Sequence, residues 1–322
     1  MLQNVLIGIG AGAASALLSV AGAFGPPSAI FLVIFAGLPI MIAAIGWSHI
    51  AALVAIATVF VGMFAIFNFT VAIALALTVG VPAWWLGYLA LLARTNAAGG
   101  LEWYPAGNLV FWAAVLGGAT VAFALPFYGL DEETVQASLR GVIERAIRLR
   151  SDTPSDQPLV IPGVSNPTRI VDFFVFVAPY LSAMAGAFIN LLNLWLAGLI
   201  VRISGRLNRP WPDIPSMRFP AYAFAAVAVA LAGSFVPGLG GIFAGIFATV
   251  LLLAFAILGL AVLHAITRGT RSRAVLLGTA YTALMLLGWP ILIASLLGLA
   301  DAALDLRTRV AAWRGLPPLT HT

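Results

Sequence analysis

Long apolar runs alternate with short polar breaks along this chain, and no charged side chain occurs before Arg94. From there on, charges are confined to 94–102, 131–172, 202–218, 268–273 and 301–314. About twenty apolar residues, rising 1.5 Å each, cross the hydrocarbon of a bilayer. The runs predict spans over 4–24, 28–45, 50–67, 70–93, 105–128, 170–201, 219–236, 239–266 and 274–299. Gly25-Pro26-Pro27 ends the first run, and Gly46-Trp47-Ser48-His49 separates the next two. Pro237-Gly238 divides the uncharged stretch 219–267, which is too long for one helix. Pro82, Pro179 and Gly288-Trp289-Pro290 lie inside runs and predict bends. The 170–201 run exceeds one crossing and predicts a helix that tilts, kinks or emerges from the bilayer. The expected fold class is all-α: a polytopic transmembrane helix bundle of 8-9 spans, eight if 28–67 is partly re-entrant. Residues 1–300 then form one transmembrane helical domain and 301–322 a short tail.

The 129–169 connection differs in kind. Val135, Leu139, Val142, Ile143, Ala146 and Ile147 recur at helical spacing, with Glu132, Glu133, Arg140, Glu144 and Arg148 on much of the other side. Asp131 can cap the start, and the charge order suits the helix dipole. This predicts a short amphipathic helix over 131–150, lying on the membrane or over the bundle. The proline-rich 151–169 predicts a loop.

Composition sharpens the class. Hydrophobic residues make up 62% of the 322, and charged residues only 8%, where a soluble surface needs roughly a quarter. A charge at mid-bilayer costs a few kcal/mol, so spans exclude it. The runs are continuous rather than alternating, which excludes a transmembrane barrel. There is no cysteine, hence no thiol nucleophile or thiolate metal site, and all 16 basic residues are arginine. The net charge of +5 is spread over loops. It suits membrane lipids as partners and makes no case for nucleic acid. No set of histidine ligands has metal-site spacing, so neither a metal nor a cofactor is expected.

Arginine counts set the expected orientation. The 202–218 loop has four Arg against Asp213, and 268–273 has three Arg and no acid. Two predicted spans separate these loops, so both should face the cytoplasm, with the N-terminus inside and 129–169 outside. Nine spans would put the tail outside, although Arg307, Arg309 and Arg314 weakly favour inside. A bacterial inner membrane is the expected location.

Chemistry-bearing residues are few. Gly186, Asn190 and Asn193 share one face of the 170–201 helix, extended by Ala183 and Ala197. Hydrocarbon offers an amide no partner, so these asparagines either meet a substrate or tie helices together. In the loop Arg206-Leu207-Asn208-Arg209-Pro210-Trp211-Pro212-Asp213, Arg206 and Arg209 can hold lipid phosphates or a docking partner, and Trp211 can anchor in the interface. His264 can titrate or bind a ligand, but has no acid or cysteine beside it in sequence. Asp305 and Arg309 are spaced to pair across a helical turn. Gly8, Gly12, Ser15 and Ser19 line one face, an ordinary packing surface, and Gly241 with Gly245 makes a second small-residue pair.

The Asn190/Asn193 helix, Arg209-Pro210-Trp211-Pro212, Gly259-Leu260-Ala261-Val262-Leu263-His264 and Gly298-Leu299-Ala300-Asp301 occur in an order that resembles the YybS-like bacterial membrane proteins, domain of unknown function 2232. The resemblance covers about residues 1–310. It implies a multi-spanning protein with no established activity, remotely similar to substrate-binding subunits of energy-coupling vitamin transporters. The leading expectation is a small-molecule carrier or substrate-binding membrane subunit that works with a protein partner. The alternative is a non-catalytic scaffold or assembly factor using its basic Pro-rich loop. An enzyme is not expected: Asp213 beside Arg206 and Arg209 is a single acid, where metal-assisted phosphoryl chemistry usually wants two.

Overall fold

The computed structural model describes residues 1–24, 29–96, 99–151, 154, 157, 159, 163–164 and 166–314. The break expected at Gly25-Pro26-Pro27, much of the 151–169 loop and the last eight residues lie outside that set. The described chain is helical apart from one antiparallel hairpin, β1 (Ala93–Thr95) with β2 (Leu101–Trp103), where only a polar loop is expected from sequence.

The first helices are α1 (Leu2–Phe24), α2 (Ile30–Ile34), α3 (Leu38–Gly46) and α4 (His49–Ile66). Next come α5 (Phe69–Leu75) and α6 (Val81–Ala90), joined through a π-helical turn over Ala76–Gly80. The irregularity at Pro82 is therefore that turn, with proline placed in the first turn of α6, where its missing N–H costs nothing. Then follow α7 (Ala106–Ala124), α8 (Glu132–Ser151), α9 (Pro167–Ile203), α10 (Ala223–Gly233), α11 (Leu239–Ile266), α12 (Arg273–Leu287), α13 (Pro290–Leu304) and α14 (Leu306–Trp313). The amphipathic segment is helical as α8. The Asp131 carboxylate accepts from the Thr134 amide at 2.8 Å, and Val135 is buried.

Among the described residues, six helices are long and apolar enough to cross a membrane: Leu2–Gly22, His49–Ile66, Phe69–Ala90, Ala106–Phe127, Pro167–Ile203 and Leu239–Ile266. Four shorter apolar helices, Phe31–Gly46, Ala223–Gly233, Arg273–Leu287 and Pro290–Leu304, do not reach that length. The count of eight or nine thus rests on runs the chain divides. The 219–236 run yields only the 11-residue α10.

Contacts group the helix ends. Arg209 donates to the carbonyls of Ala90 at the end of α6 and Tyr104 before α7. Arg206 lies 4.6 Å from the Trp47 ring after α3. Arg268 after α11 pairs with Asp213 at 3.0 Å. These residues define a basic end of the bundle. At the other end Glu132 accepts from the Gly238 amide at 3.1 Å, and Arg140 pairs with Asp172 early in α9. α9 is one continuous 37-residue helix through Pro179. Its early turns support α8 beyond the length one crossing needs.

α1 packs on α4 through the glycine face. A Cβ at Gly8 would stand 2.5 Å from the Ala51 carbonyl oxygen, and one at Gly12 equally close to that of Ala55. Ser15 donates to the Ala36 carbonyl at 2.6 Å. Gly245 is equally internal, against the Tyr180 ring.

The expected 274–299 span is not one helix. Gly288 adopts φ +70° and ends α12, and Pro290 starts α13. Glycine just past a helix and proline at the first position of the next are a stop and a start, not a kink. α13 runs alongside α11 in the same direction. Ser295 donates to the Leu252 carbonyl at 2.8 Å, and Gly298 lies on the backbone of Phe255 and Gly259. The Tyr281 ring of α12 stands 5.8 Å from His264, near the end of α11. The turn at Gly288 therefore sits about halfway along α11, and the α12–α13 hairpin enters from the basic end and returns to it. The tail follows. Arg307 donates to the carbonyls of Pro215 and Met217 at 2.9 and 2.7 Å, and Arg314 to that of Ile266.

Candidate ligand chamber beneath the Arg209–Pro212 loop

After α9 the chain turns at Gly205, φ +71°, and folds back over the basic end. Prolines at 210 and 212 keep this segment extended and stiff. Arg209 crosslinks the last carbonyl of α6 (2.9 Å) to that of Tyr104 (3.2 Å). A cation at a helix C-terminus is also favoured by the dipole. The Trp211 indole covers Gly198 of α9, and the Arg202 guanidinium stacks 5.1 Å from its centre. Cation–ring stacking of this kind adds roughly 0.5–1 kcal/mol at exposed sites.

Beneath this segment is a cavity of about 590 Å³, within the usual range for small-molecule sites. α9 supplies Leu191, Leu192, Leu194, Trp195 and Gly198; α7 supplies Leu109 and Val110; α11 supplies Leu253, Ala256, Ile257 and Leu260. Leu284 of α12 and Ile291 of α13, on either side of the Gly288 turn, complete the wall. Phe188 and Trp195 line it while remaining 61% and 53% exposed, so it opens sideways out of the bundle. From Phe188 to Gly198 it runs roughly 15 Å along α9.

Among the described residues, Arg209 is the one charged residue in this wall. Burial pushes its guanidinium below the ordinary arginine value, because a charge is poorly solvated away from water. Its Nε is buried without a partner among the described residues, and both other nitrogens donate to neutral carbonyls. The described acids nearby are engaged elsewhere: Asp213 with Arg268, Asp301 with Arg307, Asp305 with Arg218, Glu102 with Arg94.

The asparagine face lies apart from this chamber. Asn190 donates to the Ala113 carbonyl of α7 at 3.3 Å, and the buried Asn193 to that of Ile34 in α2 at 2.7 Å. The Asn193 carbonyl oxygen has no partner among the described residues. Gly186 lets α9 approach the α7 backbone at Gly117. His264 bonds the Leu260 carbonyl through Nδ1 at 3.0 Å and meets Tyr281 edge-on. Arg206 stacks on Trp47, and Asp213 joins the two basic loops through Arg268. Asp305 does not pair with Arg309. It adopts φ +49° between α13 and α14, breaking the helical spacing, and bonds Arg218 at 2.9 Å.

Sequence reasoning named Arg209 and Trp211 but not the apolar wall. Leu191, Leu192, Leu194 and Ile257 look the same in sequence whether they face a core, lipid or a cavity. Among the described residues, no group of three or more His, Asp or Glu is placed to hold a metal.

Fold and chamber together define a multi-pass helical membrane protein with a lateral apolar cavity under a cationic loop. A family model described as "Predicted membrane protein (DUF2232)" matches residues 13–302, and the chain belongs to that family. No curated protein and no solved structure matches it.

Proposed function

We propose that this chain is a membrane-embedded binding protein or carrier whose ligand occupies the chamber beside α9, and that the ligand is largely apolar. The observation that supports this is the chamber itself: some 590 Å³ walled by leucine, isoleucine and aromatic side chains and open sideways. A polar vitamin-like solute would leave its hydrogen-bonding groups unpaired against such a wall, at a cost of about 1–3 kcal/mol each. A ligand already dissolved in the bilayer enters without that loss. Asn190 and Asn193, engaged with helix carbonyls outside the chamber, act in this reading as links between α9 and its neighbours. That same observation favours the scaffold reading, which makes no use of the chamber.

The topology that goes with this function has eight crossings and one re-entrant hairpin. α1, the α2–α3 pair, α4, the α5–α6 pair, α7, α9, the α10 segment and α11 cross in alternating directions, and α12–α13 dips in from the basic end. The basic end faces the cytoplasm of a bacterial inner membrane, as its arginines favour. The tail then shares the cytoplasmic side with 202–218. The chain is non-catalytic in this account, since Asp213 serves a structural ion pair with Arg268.

The experiment is mass analysis of the protein extracted gently from its own membrane. One apolar molecule should be retained per chain. It should be absent from the Leu192→Trp/Ile257→Trp variant, whose added indoles fill the chamber. A variant that folds and retains the same molecule refutes the assignment.

A further inference from the structure

We infer that the chamber takes a single-chain amphiphile with an anionic head, a phosphate or carboxylate on an alkyl or isoprenoid chain, and that Arg209 receives the head. This rests on the chamber being the ligand site. The chain's position follows from the apolar wall between α9 and α11. The head's position follows from Arg209 being, among the described residues, the one charge in that wall, at the end next to the loop. Its guanidinium is half-buried against the carbonyl ends it bonds, yet among the described residues no carboxylate compensates it, because Asp213, Asp301, Asp305 and Glu102 each have another arginine. A cation held at the border of an apolar space without a counter-ion binds an incoming anion more strongly than the same cation in water. The stiff Pro210–Pro212 segment holds it there. The chamber volume suits one chain with its head rather than a whole two-chain lipid.

A second feature fits the same ligand. The chamber's side opening lies between α9 and the re-entrant hairpin, so a chain enters from the bilayer while its head stays level with the basic end. Trp211, over Gly198, closes the top of the chamber beside Arg209.

The test uses the full chain in neutral-lipid nanodiscs and measures equilibrium binding of dodecyl phosphate, dodecanol and inorganic phosphate. Wild type should prefer dodecyl phosphate to dodecanol by at least about tenfold, the discrimination expected of a charge-assisted hydrogen bond. Arg209→Gln should bind both alike, and Arg209→Lys should keep most of the preference. Gln can still donate to Ala90 or Tyr104, and Lys guards against misfolding of the Gln variant. Equal affinity of wild type for the two alkyl compounds, or a preference unchanged in Arg209→Gln, overturns the anionic-head assignment while leaving the chamber in place. Inorganic phosphate that displaces dodecyl phosphate at equal concentration makes this a free-anion site and overturns the amphiphile. If neither alkyl compound binds, the chamber assignment itself has failed.

Discussion

Removing the Arg307 guanidinium should be among the most damaging single changes in this chain. Arg307 and Asp301 are 5% and 4% exposed. The guanidinium bonds the Asp301 carboxylate through Nε at 3.0 Å and Nη2 at 2.7 Å, and its Nη1 bonds the carbonyls of Pro215 and Met217. In Arg307→Met the carboxylate keeps only the residue-307 amide, 3.1 Å away in the native protein, and both carbonyls lose a donor. Breaking a buried pair from one side costs about 3–5 kcal/mol, because the remaining charge is stranded. Neutralising the stranded acid as well, in Asp301→Asn/Arg307→Met, removes that penalty and should recover about half of the loss. Equilibrium unfolding in mixed micelles, followed by tryptophan fluorescence, gives the stabilities of wild type, Arg307→Met, Asp301→Asn and the double variant. An Arg307→Met variant within about 1 kcal/mol of wild type would refute the reasoning. So would a double variant as unstable as the sum of its singles, since coupled neighbours should not add.

Other consequences concern packing, topology and pH. Gly298→Val should destabilise by about 1–3 kcal/mol in the same assay, since its side chain would press on the Phe255 carbonyl at the α11–α13 contact. Asn193→Leu should cost about 1–3 kcal/mol by leaving the Ile34 carbonyl unpaired, with binding in the chamber unchanged. A large loss of binding at full stability would instead return the site to the asparagine face. The chain has no cysteine, so single cysteines report topology cleanly. An impermeant thiol reagent on intact cells should label Gly141→Cys but neither Asn208→Cys nor Ala312→Cys. Burial pushes the Asp305 carboxyl up, but the Thr308 hydrogen bond and the Arg218 cation outweigh it and hold its pKa below the usual aspartate value. Its contribution is therefore complete above about pH 4 and lost as pH falls through the lower, folded value. The protection of the α14 amides, measured exchange corrected for its intrinsic pH dependence, should fall over that acidic window and stay flat between pH 6 and 8.

Legibility in the sequence differed by kind of feature. Charge exclusion marked the apolar helices, because a charge within hydrocarbon is costly wherever it falls. The amphipathic α8 followed from its period and its capping Asp131. The α12–α13 hairpin was hidden because Gly288-Trp289-Pro290 is equally compatible with a kink. The left-handed Gly288, together with the docking of Gly298 on Gly259, makes α12 and α13 two helices rather than one bent helix, and that contact lies 39 residues apart in the chain. Asn190 and Asn193 drew attention because amides in apolar helices are conspicuous, yet their partners, Ala113 and Ile34, are backbone carbonyls that no sequence pattern marks. The chamber wall carried no signal, whereas Arg209 stood out through its proline-flanked loop.

The central claim is that the chamber beside α9 holds a particular apolar ligand in the native membrane. A photoreactive residue placed at Leu192, inside the chamber, and separately at Val61, on the exposed surface of α4, tests it most directly. After illumination of intact membranes, Leu192 should yield one dominant adduct mass, and Val61 the mixed masses of bulk phospholipid. The same mixture at both positions, or no adduct at Leu192, would contradict the claim.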